Sequence, residues 1–364
     1  MRINDVISYL QSIAPPLYQE DYDNAGLITG DSSWECRGII VSLDATEEVV
    51  SECIKRNCNL IVSHHPIIFR GLKQITGKNY VEKAIITAIK NDIAIYAIHT
   101  NLDNVFNGVS GKMAEMIGLQ KTRILDLKQN TLKKLFTFVP VENAGQVRSA
   151  LFEAGGGNIG QYSECSFNTE GTGTFKAKPG ADPYIGEVGE TTITKEVKIE
   201  VIFPAWLEKD LIKALFDSHP YEEVAYDIIN LSNKYQQVGS GIFGELKADM
   251  NERDFLTLLK NVFKSPLIKH TALTGKPVRK IALCGGAGSF LISSALGADA
   301  DFFITSDIKY HEFFDSNGRM VIADIGHYES EQFTIDLLHE ILEEKFHTFA
   351  VLKTSVETNP VRYF

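Results

Sequence analysis

Three short apolar runs, IIVSL at 39–43, NLIVS at 59–63 and IAIYAI at 93–98, are separated by stretches long enough to be helices. No other feature constrains the fold of this chain as strongly. Runs without polar alternation belong to strands buried on both faces, and such strands joined by helices make βαβ units around a parallel sheet. Asp44 to Arg56, which opens with Thr46 and two glutamates, and residues 80–91 read as the connecting helices. The same grammar returns late in the chain, with a strand IALC at 281–284, a helix from Gly288 to Gly297 and a strand DFFIT at 301–305. GIIVSLDATEEVVSECIKRNCNLIVSHHP at 38–66 aligns without a gap on KIALCGGAGSFLISSALGADADFFITSDI at 280–308. This reads as an internal duplication or as two independent βαβ units. On that alignment His64 and His65 fall opposite Ser306 and Asp307, and the polar ends of both strands face one crevice, where open α/β sheets carry their sites.

The texture changes between about Asn130 and Asn233, where AGGGNIG at 154–160 and EGTGTFKAKPGADPYIGEVGE at 170–190 are rich in glycine. Strand-like LFTFVPV at 135–141 and VKIEVIF at 197–203, with helical segments at 143–153 and 205–218, complete a β-α-β-β-α-β order, the ferredoxin-like motif. The expected organisation is therefore an α/β core of two similar βαβ-type halves, residues 1–128 and 236–364, interrupted by an α+β insert at 129–235. A chain of 364 residues has room for such a division.

Composition narrows the function. With 36 Lys and Arg against 47 Asp and Glu, the net charge of −11 argues against a nonspecific nucleic-acid binder, which needs a basic footprint. Five cysteines, an odd number with no CxxC pair, point to a reducing cytoplasm rather than a disulfide framework or a zinc–thiolate site. MRINDVISYLQSIAP reads as an amphipathic helix, not a signal peptide, and no apolar run reaches membrane-spanning length.

The stretch LIVSHHPIIF at 60–69 places two adjacent histidines just past a strand end, with His65 held toward extended backbone by Pro66. Such a pair can simply hydrogen-bond there. Asp103, in IYAIHTNLD, follows the third strand and could equally make an Asx-turn or cap a helix. In MVIADIGHYESEQF at 320–333, His327 and Glu331 are four apart and share a face if the helix has begun, although acidic residues also favour a helix N-terminus for its dipole. Together His64, His65, Asp103, His327 and Glu331 offer three imidazoles and two carboxylates, more than one tetrahedral site needs. They suit two divalent ions bridged by a carboxylate, with zinc, manganese or iron favoured by the lack of thiolate. His99, Asp307 and His311 are candidates for general base or for orienting a ligand. CGGAGSF at 284–290 lacks the GKS/T ending of a phosphate loop and is not GxGxxG, and no GxSxG nucleophile motif is present.

VSHHPIIF, IHTNLD, SDIKYHE, DIGHYESE and the opening DYDNAGLITGD resemble the GTP cyclohydrolase 1 type 2 homolog family, the Nif-three-like proteins, over residues 1–128 and 236–364. The resemblance implies an α/β fold binding two metals and a toroidal homohexamer. It assigns His64, Asp103 and Glu331 to one ion, and His65 and His327 to the other, with Glu331 bridging. The chain departs where Thr305-Ser306-Asp307 replaces the family's usual TGD, a change that touches no ligand. SHPYEEVAYDI at 218–228 resembles CutA-type and PII-like domains, so the insert is expected to be CutA/PII-like. Two functions follow as expectations. One is a metal-dependent hydrolase acting on a nucleotide or another phosphorylated small molecule. The other is a non-enzymatic metal-binding scaffold that recruits partners, with the insert as sensor.

Overall fold

The computed structural model describes residues 1–364. The chain divides into two compact units, Met1–Leu127 with Gln236–Phe364, and Lys128–Tyr235. No helix is long and apolar enough to cross a membrane.

The first unit, the core, carries two sheets built on one plan. In the first, Ile39–Ser42, Leu60–Ser63 and Ala94–Ala97 are parallel neighbours in that order, and every residue of all three is buried. Burial on both faces is why they read as unbroken apolar runs. Gly26–Thr29 lies antiparallel on the far side of Ala94–Ala97, and Val351–Lys353 adds a parallel edge beside Ile39–Ser42. The second sheet repeats the arrangement: Val278–Ala287, Phe302–Ser306 and Val321–Asp324 are parallel, and the two-residue strand Lys269–His270, which precedes them, pairs antiparallel with the third. Gly239–Met250 and Gln120–Leu127 extend it as antiparallel strands that no apolar alternation had marked. The first two parallel strands of each sheet fall where the gapless alignment of 38–66 on 280–308 pairs them, Ile39–Ser42 with the middle of Val278–Ala287 and Leu60–Ser63 with Phe302–Ser306.

Helices start where their caps are. Thr46 accepts the Val49 amide at the head of Glu47–Lys55, and Asn79 caps Tyr80–Lys90 by accepting the Glu82 amide. Both helices bury their apolar faces with Ile40, Ile61 and Ile95 in one cluster. The amphipathic N-terminal segment is the helix Ile3–Ile13. The expected helix at 288–297 is shorter than its sequence suggests: Ser289–Leu291 is a 3₁₀ turn and Ile292–Gly297 the helix proper.

The second unit follows the order β-α-β-β-α-β: Leu132–Pro140, Ala144–Glu153, Ser166–Lys176, Thr191–Pro204, Glu208–Ser218 and Tyr226–Asn230. Its four strands form one antiparallel sheet. Leu135, Val139, Val197, Ile199 and Val201 pack one sheet face against both helices. Part of the glycine-rich segment is a strand. EGTGTFK lies in Ser166–Lys176, whose eleven residues pair in unbroken register with 191–201, so cross-strand pairing overrides the poor strand propensity of glycine.

Candidate functional site

The carboxyl ends of both parallel sheets meet at one cluster. His64 and His65 leave the Leu60–Ser63 strand with their amides bonded to Ser42 O and Leu43 O, at 3.2 and 2.9 Å. Asp103 ends the short helix Thr100–Asp103 that follows Ala94–Ala97. His327 and Glu331 are the first and last residues of the helix His327–Glu331, which Gly326 opens at φ +95°. Helix spacing brings His327 Nε2 to 3.0 Å from Glu331 Oε2, and His65 Nε2 reaches the same oxygen at 2.9 Å. The two Nε2 atoms are 3.4 Å apart. His64 Nε2 lies 3.6 Å from Asp103 Oδ1 and 3.8 Å from Glu331 Oε1, too far to hydrogen-bond. The structure thus brings together all five residues named from the sequence.

Every imidazole is oriented from behind. His64 Nδ1 donates to Ile98 O at 2.9 Å, His65 Nδ1 to Asp44 Oδ1 at 2.8 Å, and His327 Nδ1 to Asp307 Oδ2 at 2.7 Å. With one proton fixed on Nδ1, each ring can offer its Nε2 lone pair inward once it is neutral, the arrangement that metal-binding histidines use. His99 follows the same rule, held through Nδ1 by Asp23 Oδ1 at 2.8 Å, its ring centroid 5.2 Å from that of His64. Asp307 therefore touches the cluster only through His327. It holds φ +55°, a left-handed turn that Asp tolerates better than most residues.

His311 is not at the site. It rides the 3₁₀ turn Tyr310–Ser316, exposed, against the rings of Tyr310 and Phe314. The turn carries it outward although it follows so closely on the buried Ile308. Among the other motif residues, Asn24 donates to Ile68 O at 2.6 Å and Asp31 makes an Asx-turn to Ser33 N. Asp23 and Asp44 escaped the sequence reading. Asp44 had a signal, being the first charged residue past the Ile39–Ser42 strand end. Asp23 stands inside DYDNAGLITGD, but nothing local marks it as the partner of His99.

The glycines at the end of the Val278–Ala287 strand, where its register against Phe302–Ser306 shifts, make room for Glu331. Gly286 has φ +64°, and a Cβ there would stand 2.2 Å from Glu331 Oε1. Its amide donates to Ser330 Oγ at 3.0 Å.

The rings and carboxylates of the cluster shift one another's ionisation. Burial opposes ionisation of Glu331, yet the charge of His327 and the hydrogen bonds from His327 and His65 hold its carboxyl well below the usual range. Burial would lower His65, but Asp44 and Glu331 raise it to about 9, and Glu331 with Asp307 raises His327 to about 11 against the same burial. Burial, then the charge of Glu331, pushes Asp103 up to about 7. The His65 and His327 rings thus both carry a proton on each nitrogen at neutral pH, beside the ionised Glu331. His64 Nε2 and Asp103 Oδ1 remain buried with no hydrogen-bond partner. Unpaired buried acceptors facing one another are costly unless a cation or donor lies between them. The donor set of imidazole nitrogen and carboxylate oxygen suits a divalent ion. Three groups in the cluster are close enough to hold one: His64, Asp103 and Glu331; His65, His327 and Glu331; and His64, His65 and His99.

Residues 1–360 match the model of the Duf34/NIF3 (NGG1p interacting factor 3) family. A Bacillus subtilis protein described as "GTP cyclohydrolase 1 type 2 homolog" is 36% identical over 98% of this chain and 97% of its own length. A Halalkalibacterium halodurans protein of the same description is 36% identical over 98% of both chains. The crystal structure of a Bacillus cereus protein related to NIF3 superposes with a TM-score of 0.88 at 36% identity, covering 100% of this chain and 99% of that one. The chain belongs to the Duf34/NIF3 family.

Proposed function

We propose that the cluster holds two divalent metal ions, zinc, iron or manganese, and that the protein is a metal-dependent hydrolase acting on a nucleotide or another phosphorylated small molecule. The observation that carries this reading is the pair of orphaned atoms, His64 Nε2 and Asp103 Oδ1, buried and facing each other beside Glu331. His64, Asp103 and Glu331 would hold one ion, His65, His327 and Glu331 the other. Bound there, the ions supply polarisation of a substrate oxygen and a lowered pKa for an attacking water. The chain's own contribution is orientation and a proton acceptor. Asp44 and Asp307 fix the His65 and His327 rings, and Glu331 is kept ionised. His99, its Nδ1 bonded to Asp23, presents Nε2 to take the proton from the water, with Asp23 stabilising the resulting imidazolium. The relatives described as GTP cyclohydrolase 1 type 2 homologs make a nucleotide the first substrate class to try.

The wider expectations belong to the same proposal: a toroidal homohexamer, and a ferredoxin-like insert of CutA/PII-like type, supported by SHPYEEVAYDI and by the β-α-β-β-α-β order. The test is elemental analysis of protein purified without chelator, followed by a panel of nucleotides and phosphoesters assayed with wild type, Glu331→Ala and His99→Ala. Two ions per chain and turnover are expected for wild type, with metal lost in Glu331→Ala. His99→Ala should keep its metal and lose roughly 10²–10⁴ in rate. Protein free of metal sinks the whole reading. Full metal occupancy with no turnover anywhere sinks the hydrolase and favours the scaffold.

A further inference from the structure

The inserted unit has a cavity of its own, about 790 Å³, a size that takes a small organic molecule. It opens on the sheet face that the two helices leave bare. Along Thr191–Pro204 the side chains alternate: Val197, Ile199 and Val201 go to the helix-covered core, while Glu196, Lys198 and Glu200 face the other way. Rings form the walls, with Tyr221 6.2 Å from both Phe175 and Tyr184, centroid to centroid.

At the floor lies Glu196, only 9% exposed, which accepts the Tyr221 hydroxyl at 2.7 Å. A phenol carries no positive charge and so is no counter-cation, and burial and then Glu196 itself push its pKa up and keep it a neutral donor. The lysines on this face are spent elsewhere: Lys134 and Lys198 both bond Glu200, at 3.3 and 2.9 Å, and Lys198 lies 4.3 Å over the Phe136 ring. Lys176 and Lys178 also line the cavity, as do Glu222 and Glu223, and Glu222 accepts the Asp182 amide at 3.0 Å. The neighbouring strand is thinned where the carboxylate sits. A Cβ at Gly173 would come 2.1 Å from Glu196 Oε2, and at Gly171, directly opposite Glu196, a Cβ would meet only open space. Glycine inside a strand often marks a place where something else approaches closely.

We propose that this cavity binds an organic ammonium, with its charged nitrogen on Glu196 and its body among the faces of Phe175, Tyr184 and Tyr221. A buried carboxylate without a counter-cation is costly, and aromatic rings around it attract the same sign of charge. The inference concerns the insert alone and stands whether or not the metal site does.

Calorimetric titration of the full chain with benzyltrimethylammonium, against benzyl alcohol and benzoate as neutral and anionic counterparts, tests it. The cation should bind at least about tenfold more tightly than either. Glu196→Gln should cost the cation about tenfold, since a charge-assisted contact is lost. Gly171→Leu, at an extended position with space for the side chain, should fill the cavity and remove binding while the thermal melt stays that of wild type. Benzoate binding as well as the cation, or no heat from the cation at millimolar concentration, overturns the proposal. So does an unchanged affinity in Gly171→Leu, and that outcome counts even where Glu196→Gln fails to fold.

Discussion

In the first half of the core the middle parallel strand ends in His64 and His65, and both rings turn Nε2 into the cluster. In the second half the matching strand ends in Ser306 and Asp307, and Asp307 reaches the cluster only by holding His327. The aligned positions at the end of the preceding strand differ in the same sense. Asp44 bonds His65, whereas at the aligned place Gly286 is bare and Glu331 occupies the space above it. Both third strands then deliver donors, Asp103 from one and His327 with Glu331 from the other. Two copies of a scaffold offer the same positions at their strand ends, but one carboxylate needs room and three rings need bracing, so equivalent positions take complementary jobs.

Exchanging those jobs should do the most damage. In Gly286→Val, a β-branched residue at φ +64° is strained before its Cβ meets Glu331 Oε1. The variant is expected to lose at least about 2 kcal/mol of stability and most of its metal, read from urea unfolding and elemental analysis. Asp44→Gly, the reverse exchange, should keep the fold. A Gly286→Val protein with normal metal content would show that the glycine is not there for Glu331.

Bracing is the next effect. Asp44→Asn and Asp307→Asn each weaken the hold on one Nδ1, and loss of such a partner typically costs about 10–100-fold in metal affinity. The larger loss is expected for Asp44, whose side chain is 33% exposed against 54% for Asp307. Competition against a chromophoric chelator ranks them. Equal, negligible losses would mean that packing alone fixes the rings.

Protons should then be seen to leave. Metal-free, His65 at about 9 and His327 at about 11 are protonated at neutral pH. Ions need both rings neutral, so loading at about pH 7.5 should release protons, and affinity should fall as the solution is acidified. Calorimetry in buffers of different ionisation enthalpy measures the release. No difference between buffers would place the rings neutral beforehand.

The parts legible in the sequence were those where local pattern and tertiary role coincide. Strands such as Ile39–Ser42 and Leu60–Ser63 are buried on both faces, so their runs are apolar without break. The five clustered residues follow strand ends or share a helix face, positions that a strand–helix count can locate. The strand Ser166–Lys176 was hidden because glycine has little strand propensity and the segment is a strand only by virtue of its partner. His311 misled in the opposite way: it is close in sequence to Asp307, but the Tyr310–Ser316 turn faces solvent. Asp23 was invisible because its contact with His99 spans 76 residues, and no local periodicity encodes a pairing at that range.

Asp23 supplies the smallest of the expected effects and a check on the bracing argument outside the five clustered residues. Burial opposes its ionisation, but hydrogen bonds from His99 and from the Thr100 hydroxyl, at 2.8 and 2.6 Å, win and hold its pKa at about 2, below the ordinary 3.8. A depressed carboxyl stabilises the fold above the unfolded pKa and loses that contribution as pH falls through the folded one. Asp23→Asn should therefore cost about 1–2 kcal/mol at pH 7, and the gap from wild type should close between about pH 4 and pH 2. Urea unfolding of both proteins across that window reads it directly. A gap that persists undiminished at the acid end would mean that Asp23 acts by shape and not by charge, and that His99 is positioned by packing, unlike His65 and His327.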